Sequence, residues 1–164
     1  MSVLLCSDIE IHTLKTLLSR FGMKVEIVAN HQDLPGSFWK APEAGLIGDT
    51  LYIQDETPVH SALHEACHYI CMDENRRKTL HTDAGGDYEE EDAVCYLQII
   101  LADMIPAMGK NRMLNDMNEW GYTFRLGSAQ AWFEQDAEDA NQWLQKNLLL
   151  DNTRRPTWQV RHNN

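Results

Sequence analysis

Residues 57–73 read TPVHSALHEACHYICMD, and the pattern His64-Glu65-Ala66-Cys67-His68 inside them decides how the rest of the chain is read. Side chains four apart on a helix lie on one face, one turn above the other. Two imidazoles so placed can hold one Zn²⁺, and the intervening Glu65 can act as base toward a water activated by the metal. The flanking residues favour a helix. Thr57 suits an N-cap and Pro58 a first helical position, where its missing N–H costs nothing. Val59, Ala62, Leu63, Ala66, Cys67 and Ile70 recur at helical spacing. At about 100° per residue, His64 and His68 fall beside that apolar stripe and Glu65 to the far side of the pair. The helix therefore buries one flank and turns both imidazoles toward a cleft.

Catalytic zinc usually has three protein ligands and one open position, so a third donor is expected from a neighbouring element. Glu89-Glu90-Glu91-Asp92 heads a second strong helix, read over Tyr88–Met108 and carrying Ala93, Val94, Leu97, Ile100, Leu101 and Met104. An acidic first turn also complements the helix dipole, and both roles are compatible.

His64-Glu65-x-x-His68 followed by a helical Glu some twenty residues on resembles the zincin metallopeptidases of the gluzincin type. EEEDAVCYLQIIL is similar to the second-helix motif of minimal, single-domain members, the ImmA/IrrE-like peptidases. The resemblance covers Asp55 to Met104. It implies a small zincin-like domain, a Zn²⁺ cofactor, a polypeptide substrate, Glu65 as general base, and a third ligand at the head of the second helix. Placing the family's apolar positions eight and nine after the ligand selects Glu91, with Asp92 and Glu90 as alternatives. The chain departs from the family at Cys67, where a small or aliphatic residue is usual, and at Asp92, where a small residue is expected if Glu91 is the ligand. An oxyanion partner is also implied, with His81, Tyr96, Tyr122 and Arg125 as candidates. Peptide substrates of this class bind as an added strand, and Leu46–Ile53 is the expected edge. The competing reading is a non-catalytic protein-binding or regulatory domain with a structural or vestigial metal site.

The remainder predicts an α+β single domain over residues 1–150, with a short sheet of two to four strands, the His-bearing helix across it and further helices behind. DIEIHTLKTLLSRF over 8–21 is a helix stopped by Gly22. Lys24–Ala29 alternates as a strand, and Leu46–Ile53 reads as a strand pair around Gly48-Asp49 or as one kinked strand. His31–Glu43 is a loop with Phe38 and Trp39 beneath it, and Glu74–Tyr88 is a second loop. Arg112–Trp120 is a short helix closed by Gly121. Tyr122–Leu126 is a short strand, and Ser128 caps a last helix through Leu149. The basic tail 151–164 is expected to be loosely held.

Net charge is −11 over 164 residues, which argues against a nucleic-acid or anionic-membrane partner. No apolar run approaches a membrane span, and Met1-Ser2 leads into a run too short for a secretory signal. The four cysteines, 6, 67, 71 and 95, form no C-x-x-C pair. A cytoplasmic protein with reduced thiols is the expectation. His60 is read as a residue that supports the ligands from behind or lies on the surface, and Cys67 and Cys71 as small buried hydrophobes.

Overall fold

The alternating, β-branched stretches pair around one tight turn. Strand β2 (Gly45–Ile47) and β3 (Thr50–Ile53) are antiparallel, with Leu46 opposite Leu51. They are joined by Gly48-Asp49, whose glycine takes φ +56° at the first position, as such two-residue hairpins favour. β1 (Lys24–Ile27) pairs with β3 in parallel, Val25 opposite Leu51, giving the order β1-β3-β2. The computed structural model describes residues 2–36, 44–81 and 85–162. Phe38 and Trp39 lie outside the described residues.

Among the described residues there are three strands and seven α-helices, an α+β domain as the sequence predicts. A 3-10 turn at Cys6–Asp8 leads into α1 (Ile11–Ser19), which packs on β1. α2 (Val59–Cys71) carries the histidines across β2 and β3. It starts one residue later than the capping signals suggest. Pro58 is the N-cap, and the Thr57 hydroxyl accepts from the Gln54 N–H at 2.8 Å instead. The N-terminal segment pins this entry: the Val59 N–H donates to the Leu4 carbonyl, and the Leu4 N–H to Asp116.

α4 (Tyr88–Ala102) is the central element, packed against α2 on one side and α7 (Glu138–Lys146) on another. Its apolar residues therefore spread around most of its circumference. It ends well before Pro106. That proline disfavours helical backbone at Ile105, and the chain turns there instead.

Three expectations need correction. The stretch after α2 is not all loop: Asp73 accepts from the Arg76 N–H at 2.9 Å and caps a short α3 (Glu74–Lys78) that has no apolar stripe to reveal it. Tyr122–Leu126 is not a strand. It follows α5 (Gly109–Trp120) without a ladder partner among the described residues and aims Tyr122 toward α2. The last helix is two, α6 (Ala129–Gln135) and α7, because α6 serves α5 while α7 serves α4. At the break Asp136 takes the Arg125 guanidinium at 2.6 and 2.8 Å.

The tail also differs from expectation. Trp158 lies 5.3 Å from the Phe21 ring with Arg20 over it, and the Arg161 N–H donates to the Ile70 carbonyl. Arg77 ties the segment down, donating to the Tyr69 and Met72 carbonyls at the end of α2 and to the Arg161 carbonyl. No described helix is long and apolar enough to cross a membrane.

Candidate metal centre

Helical geometry stacks the two imidazoles of α2 on one face. Their ring centroids are 4.8 Å apart and the planes nearly perpendicular, at 85°. Asp87 caps α4 by accepting from the Glu90 N–H at 2.9 Å, which places residues 89–92 in its first turn. Successive residues there point about 100° apart, so at most one of the adjacent acids can face α2 squarely. Glu91 does. One carboxylate oxygen lies 3.1 Å from His64 Nε2, the other 3.2 Å from His68 Nε2. One donor atom from each of the three residues falls within 4.8 Å of the others.

The alternatives point elsewhere. Glu90 is 2 % exposed and faces two guanidiniums, pairing with Arg76 through both oxygens and with Arg161 at 3.2 Å. Its position on the apolar stripe reflects a buried ion cluster. Asp92 turns the other way, into a cavity shared with Tyr88, Glu89, Asp139 and Trp143.

The electrostatics follow the contacts. Burial alone would raise the Glu91 carboxyl, but hydrogen bonds from His64 and His68 outweigh it and hold the group far below the usual carboxylate range. Burial opposes charge on His64, yet Tyr122, Cys95 and Glu91 together lift its pKa well above 6.5. Both shifts favour a hydrogen shared between His64 and the Glu91 carboxylate in the metal-free site. Binding a cation there means expelling a proton.

Glu65 sits on the flank beyond His64 and lines a pocket of about 210 Å³ with Ala44, Ser61, His64, Trp120 and Tyr122. Of the four candidate oxyanion partners, Tyr122 alone lines this pocket. Its ring meets His64 edge-on at 5.6 Å. Tyr96 stacks on Phe133 and meets Arg154, Arg125 is held by Asp136, and His81 bridges to Ile47.

Behind the centre lie His60, which the sequence allows as a support for the ligands, and two residues whose roles the sequence does not announce. His60 is fully buried, with Nδ1 3.2 Å from the Tyr122 hydroxyl. Burial first, and His64 second, push its pKa down to about 3. Gln98 is also fully buried and meets His64 Nδ1 through Oε1 at 2.9 Å. Its only signal in the sequence is an amide inside the apolar run Val94–Leu101, seven residues after Glu91. Cys95, between them on the same face, is close enough to His64 to help raise its pKa. Cys67 and Cys71 are buried as small hydrophobes, and burial raises both thiols.

The expected peptide-binding edge is different. β3 is the central strand, so only β2 could offer an edge on this side. The Leu46 N–H donates to the Gly36 carbonyl at 3.1 Å, and the Gly48 N–H to the Leu80 carbonyl at 3.0 Å. Ile47 also bridges to His81. A substrate strand would have to displace these segments. Glycine at 36 is what permits such an approach, since a Cβ there would collide with the backbone of Leu46.

Comparison with protein-family models, curated proteins and solved structures finds no match to this chain.

Proposed function

We propose that this chain is a zinc-dependent metallopeptidase, a minimal gluzincin similar to the ImmA/IrrE-like peptidases, with His64, His68 and Glu91 holding Zn²⁺. The observation that carries the reading is the meeting of two imidazole nitrogens and one carboxylate from two different helices, beside a pocket lined by Glu65. Two nitrogens and one oxygen are a donor set that zinc accepts, and three protein ligands leave a position open for catalysis.

When bound, the ion supplies Lewis acidity and a water of lowered pKa. Glu65 receives the proton given up at nucleophilic attack on the peptide carbonyl and returns it to the leaving amine. Tyr122 lines the same pocket as Glu65 and is the proposed donor to the developing oxyanion. Trp120 and Ala44 line the pocket's other sides. The substrate is a polypeptide segment, and the four unbridged thiols fit a reducing cytoplasm.

The occupied outer side of β2 favours a second reading, a non-catalytic binding domain with a structural or vestigial metal site. Two variants separate the readings. The purified protein should contain about one zinc per chain, and His64→Ala should lose it. Glu65→Gln should keep the zinc and lower peptide hydrolysis by about 100-fold or more. Hydrolysis unchanged in Glu65→Gln removes the base role, and zinc without any hydrolysis in the parent chain favours the binding domain.

A further inference from the structure

We infer that Gln98 is a positioning residue of this centre: it fixes the tautomer of His64 so that Nε2, not Nδ1, presents its lone pair toward Glu91 and the ion. The inference rests on the metal-site reading above.

A side-chain amide can be turned either way, so its neighbours must decide. Gln98 Nε2 lies 3.0 Å from the His60 backbone carbonyl. A carbonyl oxygen only accepts, so the amide NH₂ must face it. The opposite orientation would set two oxygens against each other in a fully buried place. Oε1 therefore faces His64 Nδ1 at 2.9 Å, and since Oε1 only accepts, Nδ1 must carry the hydrogen. Nε2, 3.1 Å from Glu91, is then the nitrogen that gives up its hydrogen when a cation takes its place.

The second NH₂ hydrogen continues the chain of donors. Nε2 lies 3.5 Å from both the Tyr122 hydroxyl and Met113 Sδ. With Gln98 donating toward Tyr122, the tyrosine keeps its one hydrogen to give, to His60 Nδ1 at 3.2 Å in the resting site and to the oxyanion once substrate is bound. One amide thus supplies an acceptor to α2 at His64 and a donor to α2 at His60. Leucine offers neither, asparagine is a carbon too short, and glutamate lacks the donor. That accounts for an amide in an otherwise apolar run. Gln98 also stands two turns after Glu91, so α4 carries both a ligand and the group that orients another ligand. His68 has no such support: its Nδ1 is buried without a hydrogen-bond partner among the described residues.

The test reads the tautomer directly. In protein with ¹⁵N-labelled histidine carrying one zinc per chain, long-range ¹H–¹⁵N correlation should find the His64 hydrogen on Nδ1 only, and in metal-free protein Nδ1 should carry a hydrogen whether or not Nε2 does. A His64 Nδ1 without a hydrogen in the parent chain, metal-free or loaded, overturns the assignment, and this needs no variant to fold. Gln98→Met, similar in length but without donor or acceptor, should lose the single Nδ1–H form while the His68 signals stay unchanged. Its zinc affinity, by competition with a chromogenic chelator, should fall by about 10–100-fold. Gln98→Glu, which keeps the acceptor, should retain the tautomer. An unchanged tautomer with zinc affinity within about threefold in Gln98→Met overturns the positioning role. Zinc uptake by the parent chain is scored separately: a parent that takes up no zinc while His64 keeps Nδ1–H sinks the peptidase reading and leaves the tautomer assignment standing.

Discussion

Glu90 and Glu91 are neighbours in the chain and face opposite tasks. Rotation of about 100° per residue sends one carboxylate into a cage of guanidiniums and the other to two imidazoles. Their variants should separate cleanly. Glu91→Gln should abolish stoichiometric zinc binding and lower the urea midpoint less than Glu90→Gln, since its side chain is 48 % exposed against 3 %. Glu90→Gln should keep zinc but cost about 3 kcal/mol, because it leaves Arg76 and Arg161 without their buried counter-charge. His60 makes a prediction about acid. Its folded pKa, about 3, lies below the ordinary 6.5. The unfolded chain therefore binds the extra proton, and stability is lost as pH falls from about 6.5 toward 3, by at most about 1.4 kcal/mol per pH unit. Urea titrations across that window should show a shallower loss in His60→Asn than in the parent.

At the scale of elements, the α2–α4 pair is the machine and the junction before α4 aims it. Gly86 holds φ +103°, and a Cβ there would run into the Glu90 carboxylate. Gly86→Ala should therefore destabilise by about 1–3 kcal/mol, from backbone strain plus disturbance of the Glu90–Arg76 pair. Gly85→Ala is the control: it is strained at φ +63° but meets nothing within 4 Å, so it should cost less in the same thermal melts. The elements that the sequence reveals are those with periodic apolar faces, such as α1, α2, α4 and the β2–β3 hairpin. Those it conceals have none or share one. α3 is all polar and is announced only by its Asp73 cap, and the α6–α7 break exists because two stretches of one periodic pattern pack on different neighbours.

Over the whole molecule, the C-terminal segment acts as a strap rather than a loose end. Arg161 reaches Glu90 on α4 and the Ile70 and Cys71 carbonyls on α2, while Trp158 covers Phe21. Deleting residues after Asp151 should remove one partner of the buried cluster and cost about 3 kcal/mol. For a domain of this size that is a fall in melting temperature of about 6–12 °C, measurable by calorimetry. Arg161→Ala should reproduce much of it. The tail's basic residues, which by composition suggest solvent exposure, divide: Arg161 is drawn to the buried Glu90 and the Cys71 carbonyl, while Arg154 pairs with the exposed Glu138.

The histidine pair, its helix and an α+β domain around it were determined by sequence alone, because a four-residue spacing and a 3.6-residue apolar period are local properties of a chain. Tertiary structure decided which of three adjacent acids meets the imidazoles, since that depends on the rotation of α4 against α2 and no local pattern records it. It also decided that Gln98, Tyr122 and His60 stand behind the centre, and that the outer side of β2 is already taken. Those are contacts between residues 10 to 62 positions apart, which packing creates and linear spacing does not encode.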